Sequence, residues 1–288
     1  MLFTINTNIR SPFNYIGGKY KMLPQILPLF PDKISMFYDV FGGGGSVSLN
    51  VQSEYVYYND IVHYISDMFW EVKGCDINNC INKIKEIMNE YQLSTSNKDG
   101  FLQLREDYNK GERSWEYFYL LMCYSFNNQY RFNNSQGYNS SFGMHKSYSY
   151  ENVFIRFKEF ANRLNEINIM FDNKDFRDID FTDADENDLV YCDPPYLISI
   201  GNYNDGKRGF KGWSEQDDID LYNKLDELDK QGTRFALSNV FEHKGQSNDI
   251  LKEWSEKYRV IHLNKDYKNS NYRAKHKDET IEVLITNY

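Results

Sequence analysis

Apolar positions along the chain follow two alternating rhythms, and the alternation predicts the elements. Short β-branched and aromatic runs at 36–40 (MFYDV), 54–60 (EYVYYND), 168–171 (NIMF), 189–192 (LVYC) and 233–239 (TRFALSN) have the length and composition of strands. The final ten residues, ETIEVLITNY, alternate as a strand does. Between these runs the spacing becomes helical. It does so from about Ile61, at 80–91 (apolar at 81, 84, 87 and 88), at 114–126, at 152–167, and at 217–232, where Gly232 closes the pattern. Strands alternating with helices predict an α/β, doubly wound sheet. The section 72–151 departs from that style and reads as a mostly helical insertion, ending in an Asn- and aromatic-rich stretch in which NNSQGYN (133–139) suits a hairpin turn. The expected organisation is therefore one domain made of 1–71 and 152–288, interrupted by 72–151.

Two strand ends carry the unusual residues. After the first strand comes FGGGGS (41–46), read as a glycine loop opening a helix, where backbone can approach a ligand closely and negative charge is favoured. Position 48 is Ser, so the dinucleotide spacing G-x-G-x-x-G is broken. Asp60, ending the next strand, suits either the two hydroxyls of a ribose or the cap of the following helix. The run LVYC stops at Asp193-Pro194-Pro195-Tyr196, where two prolines remove two backbone donors and forbid a continuing strand or helix. A plain turn needs an acid and one proline, not the whole tetrad.

Charge changes the picture only locally. A net charge of −9 argues against a phosphate-bearing partner, yet the 34 residues from Tyr117 to Tyr150 hold no Asp or Glu and eleven Phe or Tyr. Two further basic clusters lie at 206–212 and 264–277. Acid elsewhere and base in patches is compatible with one electropositive face. The four cysteines form no CxxC pair and no zinc-type spacing, so no metal is expected. The first residues lack a signal-peptide pattern and no apolar run approaches a membrane span, so a cytoplasmic location without membrane association is expected.

The ordered set YIGGK (15–19), DVFGGGGS (39–46), ND (59–60), the insertion and DPPY (193–196) resembles the Dam-like (D12 class) DNA adenine N6-methyltransferases. The likeness extends to YRFN and GYNSSFG inside the insertion, to FALSN (235–239) and to EVLITN near the end. It implies a Rossmann-like class I methyltransferase sheet, S-adenosyl-L-methionine as cofactor and double-stranded DNA as partner, with a cognate restriction endonuclease acting separately. Transferred residue by residue, it makes Asp193, Pro194, Pro195 and Tyr196 catalytic. Tyr15, Lys19, Phe41, Gly43, Gly44, Gly45, Ser46, Asp60, Asp175 and Phe176, with Asp193, would hold the cofactor.

The tetrad then has a physical account. The exocyclic amine of adenine is a poor nucleophile, and two acceptors aimed at its hydrogens, the Asp193 carboxylate and the Pro194 carbonyl, favour the positive charge that develops on it. Tyr196 offers a stacking face, and a base paired in a duplex must first be flipped out. Within the insertion, Arg131 is the expected base reader. Asn127, Tyr130, Asn133, Tyr138, Asn139 and Lys146 complete the expected DNA contacts. Ser140-Ser141 and Met144 stand where the family commonly has Val-Pro and a basic residue, which leaves the recognition sequence open, GATC included. The same chemistry on an RNA adenine or a DNA cytosine N4 is the first alternative. A silent DNA-binding module and a nucleotide-dependent dehydrogenase rank below it.

Overall fold

The computed structural model describes residues 8–15, 17–133, 135–145, 147–199, 212–263 and 280–288. A central sheet of mixed direction organises them. Its strands are β1 (Met36–Asp39), β2 (Tyr55–Asn59), β3 (Ile169–Asp172), β4 (Leu189–Cys192), β5 (Arg234–His243), β6 (Gln246–Ser247), β7 (Arg259–Leu263) and β8 (Thr280–Thr286). Their order is β3-β2-β1-β4-β5-β8-β7, with the two-residue β6 paired to β5. β1 to β5 run parallel, and β8 inserts antiparallel between β5 and β7. The chain leaves β1 toward β2 on one side and returns to β4 on the other. The carboxyl ends of β1, β2 and β4 therefore meet at the switch point where open α/β sheets leave a crevice.

The strands alternate their side chains between two apolar cores, one on each face of the sheet. Leu189 and Tyr191 of β4 enter the first core, and Val190 and Cys192 enter the second. All four are buried, as expected of a parallel strand covered on both faces. β8 repeats the pattern, with Leu284 on one side and Val283 and Ile285 on the other. The second core is covered by α7 (Glu215–Gln231) and the short α8 (Asp249–Ser255). Ser214 and Asp217 form a capping box that starts α7, and Gly232 ends it in the left-handed conformation (φ 87°), as its sequence position predicts.

After the four-residue α1 (Leu23–Ile26), the described residues between β2 and β3 form the helices α2 (His63–Val72), α3 (Ile77–Glu90), α4 (Lys98–Lys110), α5 (Trp115–Tyr124) and α6 (Tyr150–Glu166). Their buried faces continue the first core from the sheet without an apolar break at residue 72 or 151. Two elements differ from the sequence reading. α4 was not legible, since its buried Phe101, Leu104 and Tyr108 are diluted by charge and by Gly100 in the first turn. The expected helix after the glycine loop does not form. Residues 46–50 make turns instead, with Leu49 N–H reaching the Gly45 carbonyl (2.9 Å) and Val51 N–H the Val47 carbonyl (2.9 Å). No helix among the described residues is long and apolar enough to cross a membrane.

Candidate active site

A cavity of about 400 Å³ opens at the switch point, within the size range of small-molecule sites. Strand ends supply three of its acids: Asp39 closes β1, Asp60 follows β2, and Asp193 follows β4. Each acid is held by a different kind of donor. Asp60 accepts backbone N–H bonds from Gly43 (2.8 Å, Oδ2) and from Val62 at the start of α2 (2.8 Å, Oδ1). Asp60 therefore fastens the loop and the start of the helix, and it lines the cavity wall. Asp39, only 1 % exposed, accepts the Ser48 hydroxyl at 2.5 Å. Burial pushes its carboxyl up to about 7 against the opposing Ser48 bond, with the nearby Asp193 charge adding to the rise.

Asp193 stands in an ion pair with Lys19, Nζ to Oδ1 2.6 Å, and both side chains are largely covered (16 % and 7 % exposed). Tyr196 donates its hydroxyl to the same oxygen at 2.9 Å, and the Lys19 ammonium lies 5.0 Å from the Tyr196 ring centroid. Burial raises the Asp193 carboxyl above the ordinary range, and the Lys19 charge is the main influence pulling it back. The rigid Pro194-Pro195 kink turns the chain away after β4. Pro195 lines the cavity and Pro194 is buried behind it.

The glycine loop serves the protein's own aromatic rings as well as the cavity. A Cβ on Gly43 would come within 2.8 Å of the Tyr15 ring, and one on Gly42 within 2.2 Å of the Tyr58 ring. Tyr58 also donates its hydroxyl to the Gly43 carbonyl (2.6 Å). Gly43, Gly44, Ser46, Tyr15 and Phe41 line the cavity, whereas Gly45 (φ 72°) packs against Phe69 outside it. At the other end, Phe41, Phe176 and Trp213 form an aromatic cluster with centroids 5.5–5.6 Å apart. Asp175 lines this end and takes the Arg177 guanidinium.

The residues expected to contact DNA have different surroundings. Tyr130 lines the cavity and packs 6.1 Å from Tyr15. Arg131 is exposed and folds onto Asn139, Nε to Oδ1 2.8 Å and Nη2 to the backbone oxygen 3.1 Å. Asn127 and Asn133 are exposed and shape backbone. Asn127 adopts φ 59° and offers its carbonyl to Asn14 (2.9 Å), and the Asn133 side chain accepts the Ser135 and Gly137 N–H groups (2.9 Å each). Tyr138 departs from the expectation. At 1 % exposure its ring lies among Tyr108, Phe118 and Phe132, with its hydroxyl 2.7 Å from that of Ser125. A large ring gains more from that core than from a solvated loop, so it supports the segment from inside. Lys146 and the basic clusters at 206–211 and 264–277 lie outside the described residues.

Sequence reasoning missed four residues of this site. Asp39 carried a usable signal, an acid at a strand end directly before the glycine loop, and Ser48 follows from it. Arg177 and Trp213 carried none, because their neighbours come from distant parts of the chain. Among the described residues no cluster of three or more His, Cys, Asp or Glu side chains is arranged to hold a metal ion.

Comparison with known proteins gives a consistent picture. The profile of the D12 class N6 adenine-specific DNA methyltransferases matches residues 15–269. The Type II methyltransferase M.FokI of Planomicrobium okeanokoites is 46% identical over 98% of this chain and 43% of its own length. The modification methylase StsI of Streptococcus sanguinis is 43% identical over 97% of this chain and 43% of its own length. The modification methylase LlaI of Lactococcus lactis subsp. lactis is 33% identical over 87% of this chain and 40% of its own length. The chain thus spans less than half the length of these three relatives.

Proposed function

The chain belongs to the D12 class of N6 adenine-specific DNA methyltransferases, and from that membership we propose that it methylates the N6 amine of a flipped adenine at a specific site in double-stranded DNA, with S-adenosyl-L-methionine as cofactor. The observation that carries the reading is the largely covered Asp193 carboxylate, which follows β4 on the wall of a cavity with an aromatic end and is gripped by Lys19 and Tyr196. The residues present fit the cofactor: rings at one end for a purine, Asp60 on the wall for a ribose, and acids at the sheet for a cationic group. Tyr15, Phe41, Gly43, Gly44, Ser46, Asp175 and Phe176 would complete that contact, while Gly45 shapes the loop from behind.

The cofactor supplies a methyl group on a sulfonium centre. The protein's part is placement and charge. Asp193 and the Pro194 carbonyl accept hydrogen bonds from the adenine amine and stabilise the positive charge that grows on its nitrogen. Lys19 keeps the Asp193 carboxylate compensated before the base arrives. Tyr196 positions that carboxylate through its hydroxyl and presents its ring for stacking, worth about 1–3 kcal/mol per base in single-strand binders. Holding amine and methyl donor in line supplies the remainder of the effect.

Residues 72–151 act as the target-recognition unit, with Arg131, Asn139, Asn127 and Asn133 at its surface and Tyr138 bracing it from within. The names of the relatives support a restriction–modification setting, with a separate endonuclease as the cognate partner. The test is incubation of the protein with S-adenosyl-L-methionine and unmethylated genomic DNA, beside Asp193→Ala and Asp193→Asn, followed by sequencing for modified bases. N6-methyladenine confined to one motif, and lowered by two to three orders of magnitude or more in both variants, is the expected result. Cofactor binding with no modified base would move the substrate to RNA or another amine.

A further inference from the structure

Resting on the reading of the cavity as the S-adenosyl-L-methionine site, we propose that the first turn of α7 and the residue leading into it belong to that site: Trp213 is the third wall of the purine pocket, and Asp218 is the positioning residue that fixes its indole. The indole is 8 % exposed, lines the cavity, and meets Phe41 edge-on (5.5 Å, 78°) and Phe176 at 40° (5.6 Å). Three rings from residues 41, 176 and 213 thus share one end of the cavity. Such a cluster suits a flat heteroaromatic ring.

The way the indole is held separates it from an ordinary core tryptophan. Its Nε1–H donates to Asp218 Oδ1 at 2.7 Å, and Asp218 is fully buried. The other carboxylate oxygen accepts from Asn248, whose own side-chain oxygen caps α8. Both partners are neutral donors, so the carboxylate is kept in the interior without a cation on either of these bonds, an expensive way to hold a ring that only fills space. The neighbouring acid works in the opposite direction. Asp217 takes the Arg177 guanidinium, which also bonds Asp220 (2.7 Å) and Asp175 (3.2 Å) and lies 4.4 Å from the Phe176 ring centroid. One helical turn therefore sets two sides of the pocket, Asp218 through the indole and Asp217 through Arg177. The capping box of Ser214 and Asp217 locks that turn in place.

The experiment titrates S-adenosyl-L-methionine and S-adenosylhomocysteine into the protein, following tryptophan emission together with calorimetric affinity, with thermal melting as the check on folding. The wild-type protein and Trp115→Phe, whose indole stacks on Phe157 away from the cavity, are expected to show a ligand-dependent emission change. Trp213→Phe should abolish that change while keeping affinity within about threefold, and Trp213→Ala should weaken it about tenfold. Asp218→Ala should weaken binding similarly, and Asp218→Asn, which retains an acceptor oxygen for the indole, should restore it to within about threefold. Persistence of the emission change in Trp213→Phe, or unaltered affinity in a folded Trp213→Ala, overturns the proposal while leaving the cofactor site intact. Failure of the wild-type protein to bind either ligand overturns the parent reading, and this one with it.

Discussion

The carboxyl ends of β1, β2 and β4 and the segment from Ser125 to His145 are both irregular and rich in polar side chains, yet they use them in opposite ways. At the strand ends, acids are largely covered, held by donors from the protein, and gathered on the wall of a cavity. Asp60 fastens two backbone N–H groups, Asp39 takes one hydroxyl, and Asp193 takes an ammonium and a phenol. In the segment, polar side chains serve the backbone. Asn133 closes a turn, Asn128 reaches the Cys123 carbonyl (2.7 Å), and Asn109, from α4, bonds both N–H and C=O of the segment's Tyr138 (2.7 and 3.0 Å). Acids gathered on a cavity wall mark a site built for a ligand, while polar side chains saturated by the backbone mark a loop being given its shape.

Removing a strand-end acid should therefore cost binding as well as stability. For Asp60→Ala we expect cofactor affinity to fall by about 30- to 100-fold. Stability should fall by about 1–3 kcal/mol, because the Gly43 and Val62 N–H groups lose their acceptor. Calorimetry and denaturant unfolding on the same preparation separate the two. A stability loss with unchanged affinity would reduce Asp60 to a fastening and break the contrast at its strongest point.

Asp39 sharpens the contrast through pH. Its carboxyl keeps a proton until about 7 in the folded protein, whereas an unfolded Asp releases it near 3.9. Folding takes up a proton in that window, so the contribution of Asp39 to stability declines as pH rises from about 4 to about 7 and is flat above. The whole decline amounts to about 4 kcal/mol at most. Asp39→Asn lacks the decline and should be about 2 kcal/mol more stable than the wild-type protein at pH 8, less than the limit because Ser48 then donates to an uncharged oxygen. It should also bind the cationic cofactor more weakly at pH 8 than the wild-type protein does, with the gap closing below pH 7. A stability difference that does not change with pH would remove Asp39 from the group of strained acids.

How much of this was legible follows the same division. β4 and the tetrad could be read because a strand buried on both faces is a continuous apolar run, and two prolines mark where it stops. The glycine loop could be read as a close approach, but not the identity of what approaches, which includes Tyr15 and Tyr58 of the chain itself. The helix expected after it fails because Gly43 and Gly45 take positive φ and the Ser48 side chain is drawn to Asp39. α4 escaped because its only firm signals are the Asn97 cap and Gly111, and a Cβ on Gly100 would come within 2.0 Å of the Tyr91 carbonyl oxygen. The cluster of Phe41, Phe176 and Trp213 joins Phe41 to positions more than a hundred residues away, which no local spacing records.

Arg131 gives the smallest expected effect on the fold and the most direct test of the other half of the comparison. Its guanidinium is exposed and bonded to Asn139 through two of five N–H donors, which leaves the remaining donors for a partner. Arg131→Ala should change stability by no more than about 0.5 kcal/mol, as surface substitutions do, and leave cofactor affinity unaltered. If Arg131 reads a base, specific DNA binding should weaken by about 1–3 kcal/mol and methylation should spread to sequences differing at one position. If it holds a phosphate, binding should weaken evenly across sequences and the salt dependence should lose about one counterion. The two outcomes assign Arg131 to different surfaces of the duplex. A third, unchanged DNA affinity at any salt, would mean that Arg131 shapes the loop as Asn133 does, and would extend the rule of saturation to the one residue of the segment expected to escape it.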